Sequence, residues 1–143
     1  MAKHHLILRI VTKSLVGIIL LFGLYVQFHG DYSPGGGFQA GVIFAAGFIL
    51  YGIVMGLDKV QSVLPFWVVQ KLSALGVMLY ALTGVFSLFM GFNYLDYSAF
   101  SPQHPEHGQH WGILIVELGV GITVTGVIVC VYYCFASRTP HID

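Results

Sequence analysis

Charge is what this sequence has least of. Asp, Glu, Lys and Arg together supply 8% of its 143 residues, and the formal net charge is zero. Water-soluble domains carry about 25% charged residues, so most of this chain is solvated by something other than water. No basic tract is present, and without one there is no electrostatic footprint for nucleic acid. Cysteine is also scarce: Cys130 and Cys134, four residues apart, are the whole supply. Two soft ligands make an incomplete metal site, so both read as packing residues. Strict two-residue alternation is missing throughout, which argues against a membrane β-barrel.

What is abundant is apolar length. Hydrophobic residues make up 57% of the chain, and the mean hydropathy is +0.83. Four runs, about 10–28, 38–57, 66–89 and 111–135, approach or exceed the ~20 residues that span a bilayer. The first run has the positive start of a signal peptide, but no small-x-small cleavage site follows Phe28. It therefore reads as the first membrane helix. The expected fold is all-α: residues 1–143 form a single membrane domain, a bundle of four transmembrane helices.

Orientation follows from the cations. Lys3, Arg9 and Lys13 lie at the first helix, Lys59 and Lys71 flank the second turn, and Arg138 follows the last helix. The loops 29–37 and 91–110 contain neither Lys nor Arg. The positive-inside rule then predicts that both termini and the 58–65 turn are cytoplasmic. Trp67 and Trp111 fall at opposite membrane boundaries, where interfacial aromatics are enriched.

The stretch "HGDYSPGGGFQAGVIFAAGFIL", residues 29–50, places three consecutive glycines at the mouth of an apolar run. Ser33 suits an N-cap and Pro34 a first helical position. Bare N–H groups at a helix start hold anions. A phosphate loop, however, also needs Lys and Ser or Thr after its glycines, and here Gln39 and Ala40 follow. The other use of small residues is close helix packing. Gly37, Gly41 and Ala45 are spaced by four, and Gly52 and Gly56 repeat the interval. Such a stripe lets two backbones touch in lipid, either within the bundle or against another protein.

Ionisable groups at membrane depth are costly and mark functional candidates. Lys13 lies close enough to the boundary to snorkel along its own stem. Lys71 is four residues past Trp67, roughly 6 Å deep. Glu117 is six past Trp111, roughly 9 Å deep from the other side. The surrounding "WGILIVELGVGITVTG" supplies Glu117 with no cation. Such a carboxyl must be partnered, protonated or turned to a polar cavity. The two readings are a relay group on an ion path and a buried structural carboxyl. Four helices with one deep carboxylate and no evident repeat make a poor solitary carrier, so an accessory subunit of a larger assembly fits better.

In "SPQHPEHGQHW", His104, His107 and His110 recur every three residues beside Glu106. On one helix they would share a face and resemble metal ligands. Pro102, Pro105 and Gly108 argue against a continuous helix there, so the segment reads chiefly as a polar loop. Metal binding and pH sensing are the sharper alternatives.

Taken together, "HGDYSPGGGFQAGVIFAAGFIL" and "HPEHGQHWGILIVELGVGITVTGVIV" resemble the MnhB family, the B subunit of Mrp-type multisubunit sodium/proton antiporters. The likeness spans almost the whole chain in length, helix count and motif order. It implies an accessory subunit of a secondary active transporter in the plasma membrane, not an enzyme, with no cofactor. The implied partners are the other subunits of the antiporter complex, and the transported ions are Na+ and H+. Carried onto this chain, Pro34, Gly35, Gly36, Gly37 and Gly41 become an assembly device for packing against a neighbouring subunit. Glu117 becomes the leading ion-path candidate. Asp31 and His29 at the outer mouth, and Lys71, are further candidates on grounds of charge and depth. Two alternatives stay open: a purely structural subunit, and the equivalent subunit of a redox-coupled complex such as a membrane-bound hydrogenase.

Overall fold

The computed structural model describes residues 2–30, 35–101 and 103–138, with side chains described from Leu6 onward and not at Pro105. Five α-helices and one 3-10 turn account for nearly all of them, and no strand occurs among the described residues. The helices are α1 (Ala2–Phe28), α2 (Gly37–Met55), α3 (Leu57–Val63), α4 (Phe66–Phe89) and α5 (Pro105–Ala136), with the 3-10 turn at Tyr97–Phe100 between the last two. Four of them, all but α3, carry segments long and apolar enough to cross a membrane. The molecule is an all-α, multi-pass membrane protein.

Helix α5 is the axis of the bundle, with α2 on one side and α4 on the other, while α1 packs mainly on α2. Most large apolar side chains point outward, as they must when lipid is the solvent: Leu21, Ile53, Met78 and Phe89 are all highly exposed. The seams between the helices are made instead largely of small residues. Ala40 and Ala45 of α2 are fully buried. On the α4–α5 seam, a Cβ at Gly119 would come within 2.9 Å of the Gly76 carbonyl oxygen. Without a hydrophobic difference between tail and side chain, helices in lipid gain mainly from such close van der Waals approach.

The apolar core proper sits at the α3 end. Ala45, Val60, Val69, Val129 and Tyr133 form one buried cluster. The Tyr133 hydroxyl donates to the Leu64 carbonyl at 2.8 Å, tying α5 to the turn between α3 and α4. Where a plain turn is expected over 58–65, the structure has the two-turn helix α3. Gly56 makes the break between α2 and α3 with φ +101 and has open space where a Cβ would be. It therefore shapes an elbow and does not extend the packing stripe.

The loop before α5 is clamped to the bundle. Asp96 caps the 3-10 turn by accepting from the Ser98 amide at 3.1 Å. The Tyr94 ring fills the space above Gly84, and the Tyr97 ring that above Gly112. α5 starts at Pro105, several residues before the apolar run that marks it in sequence, so Glu106–His110 is helical where a loop is expected. Pro105 is tolerated because a first-turn N–H has no intrahelical partner. Gly108 is there for packing, since a Cβ would lie 2.7 Å from the Tyr97 carbonyl oxygen.

Candidate functional site: a carboxylate in a glycine cradle

Glu117, Gly121 and Thr125 recur every four residues and so share one face of α5. That face meets the end of α1 and the start of α2. A Cβ at Gly30, just past α1, would lie 2.6 Å from both carboxylate oxygens of Glu117. One at Gly36 would lie 2.9 Å from Oε1. Gly36 is the N-cap of α2 at φ +125, a conformation side-chain-bearing residues avoid, and it offers no capping side chain. One residue on, a Cβ at Gly37 would overlap the backbone carbonyl of Glu117 itself. The three glycines thus leave room for the carboxylate and for the backbone that carries it.

The seam continues one turn down. A Cβ at Gly41 would meet the Gly121 carbonyl oxygen at 2.8 Å. Thr125 donates to the Gly121 carbonyl at 2.7 Å, with the Gly41 carbonyl at 3.2 Å. Gly36, Gly37 and Gly41 are all buried. The packing expected against a neighbouring subunit is therefore internal at these three positions, because α5 of the same chain fills the space they leave. Gly35 is half-buried, with the Val26 carbonyl oxygen 3.1 Å from where its Cβ would be.

His29 is half-buried next to this cradle, its ring stacked on Tyr25 with centroids 4.3 Å apart. Asp31 and Pro34 lie outside the described residues. Lys71 is not part of the cluster: it is exposed, and its ammonium sits 4.8 Å from the ring centroid of Trp67 on its own helix. Among the described residues, no group of three His, Cys, Asp or Glu side chains is placed to hold a metal ion. His104 and His107 have ring centroids 5.9 Å apart, and both are exposed.

The seam also contains a polar residue that no sequence motif marks. Gln27 of α1 is only 4% exposed. Its amide Nε2 has no hydrogen-bond partner among the described residues. Its Oε1 occupies the space above Gly121, so it faces α5 one turn below Glu117. It also lines a cavity of about 260 Å³ with Phe44, Leu118 and Thr125. A lone amide inside the apolar run "LLFGLYVQFHG" was the available signal.

Comparison with known proteins decides what kind of chain carries this seam. The profile described as a domain related to the MnhB subunit of Na+/H+ antiporter matches residues 7–130. The chain belongs to the MnhB family. Among its relatives, a protein of Staphylococcus haemolyticus (strain JCSC1435) named as antiporter subunit mnhB2 is 38% identical over 133 residues, covering 92% of this chain and 94% of the relative. Its namesake in Staphylococcus aureus (strain Newman) is 37% identical with the same coverage. The matched span of the MnhB profile takes in the whole cradle, from Gln27 to Thr125.

Proposed function

We propose that this MnhB chain is an accessory membrane subunit of a multisubunit Na+/H+ antiporter and that Glu117 is its protonatable or cation-binding group on the ion path. The family and the names of its relatives support the first half. A single observation carries the second: Gly30, just past α1, and Gly36, the N-cap of α2, leave room for the Glu117 carboxylate within a candidate membrane span. Gly36, at φ +125, holds a backbone conformation that keeps a side chain out of this space.

In this reading both termini and α3 face the cytoplasm, because the cations gather at that end of the bundle. The cradle then opens toward the outer face, about two turns below Trp111. His29 beside it and Asp31, two residues further along the sequence, are the groups that exchange protons or cations with the outer medium, and Lys71 stays a candidate only at the far end. The partners are the other subunits of the antiporter, and the membrane is the plasma membrane.

The test is antiport by everted membrane vesicles carrying the complete complex, with assembly followed on native gels. Glu117→Gln keeps the shape of the side chain and removes its charge. The expected result is an intact complex with most of its antiport lost. Full antiport with unchanged sodium affinity would remove Glu117 from the ion path. Loss of the complex itself would make the carboxyl a structural group that holds the α1–α2 turn to α5.

A further inference from the structure

A second polar site lies at the other end of the bundle. Arg9 and Lys13 are one turn apart on α1, so their side chains leave the same face. Lys59 comes from α3, a different element. All three line one cavity of about 200 Å³, together with Tyr51 and the apolar side chains of Ile10 and Met55. The chain has six Lys and Arg residues in all, so half of its cations converge here. None of the three is ion-paired with a carboxylate among the described residues. Asp58, the nearest acid in sequence, does not line the cavity.

Position narrows the ligand. Arg9 and Lys13 lie in the N-terminal part of the first candidate span. Met55 is the last residue of the second. The cavity therefore sits where helix ends pass from hydrocarbon to headgroups. Three cations and a phenol suit a phosphodiester, and the apolar flank suits the start of an acyl chain. Snorkelling explains one lysine at such a depth, but not three cations from two elements turned onto one cavity. Basic pockets between membrane helices hold anionic lipid headgroups by this combination.

We propose that Arg9, Lys13 and Lys59, with Tyr51, form a headgroup site for one anionic phospholipid. The site is independent of the ion-path reading of Glu117 and uses none of its residues.

Native mass spectrometry of the complete complex in mild detergent tests this directly. The complex is delipidated and titrated with phosphatidylglycerol, phosphatidylcholine or inorganic phosphate. Phosphatidylglycerol should bind in preference, and Lys59→Gln should weaken it on the order of fivefold, the effect of one cation near an anionic headgroup. Arg9→Gln with Lys13→Gln should weaken it further, and Lys13→Arg should retain it. Equal binding of the two lipids, or a Lys59→Gln complex that binds like the parent, would overturn the assignment. So would phosphate displacing the lipid at millimolar concentration, which would make this a free-anion site. Because Lys59 is exposed on a short helix, its single variant is expected to assemble. If it does not, the lipid preference of the parent complex and its loss at high salt decide the question.

Discussion

The backbone carbonyl of Glu117 occupies the space that a side chain on Gly37 would need. The most unusual carboxylate of the chain and its most glycine-rich segment are therefore one structural unit. The contact joins backbone to backbone, so neither partner can yield by rotating a side chain.

Gly37→Ala should for that reason be among the most damaging single-methyl changes in the protein. Overpacking of this kind costs about 1–3 kcal/mol, and it must separate α2 from α5. Gly17→Ala is the control, since nothing lies within 4 Å of where its Cβ would be. The thermal midpoint of the purified complex should fall for Gly37→Ala and hold or rise for Gly17→Ala. Equal midpoints would mean that the seam tolerates a wider spacing.

Gly30→Ala separates position from packing. Its added methyl meets the carboxylate oxygens, the mobile end of a side chain, and Glu117 can swing away. The complex should assemble at parental levels while antiport falls or its pH profile moves. Unchanged antiport across the pH range would mean that the carboxylate need not sit between Gly30 and Gly36.

Gln27→Met replaces a buried amide with an apolar chain of similar length. An unpaired buried polar group costs about 1–3 kcal/mol, so the variant should be as stable as the parent or more so. A clearly lowered midpoint would show that the amide has a partner in the assembled complex, such as a water in the adjoining cavity.

Tyr97 carries a pH prediction outside the membrane. Burial, with a smaller contribution from Tyr80, raises its pKa above the ordinary 10.0. A pKa higher in the folded state means that the clamp on α5 is at full strength below pH 10. It weakens as the pH climbs through the raised value, where the unfolded state ionises more readily. Limited proteolysis of the 91–104 segment should be constant up to pH 10 and accelerate above it, and Tyr97→Phe should remove that acceleration.

The four spans were legible because lipid imposes a length and a composition that survive any detail of packing. The partner of the glycine stripe was not. Spacing by four announces that a backbone will come close, but Gly37 and Gly41 do not encode which backbone arrives, and it proved to be α5. Helix α3 escaped notice because "LDKVQSV" is two turns long and half polar, so no periodicity accumulates. The start of α5 was hidden by Pro105 and Gly108, two residues that read as breakers. In place, one is a first-turn proline and the other makes room for the Tyr97 carbonyl. Gln27 is a single amide with nothing beside it in the sequence to mark a site.

At 32 residues, α5 is ~48 Å long, against roughly 30 Å of hydrocarbon. Even the ~40° upper end of observed tilts leaves about 37 Å along the membrane normal. Tilt alone cannot absorb the excess, so part of α5 stands outside the hydrocarbon, and the polar turn through His110 is the part whose side chains suit water. Its height there is set by the grip of Tyr97 on Gly108 and Gly112, a clasp made of protein. In a thicker or thinner bilayer the lipid would have to deform around this helix, because the clasp fixes how far it can slide.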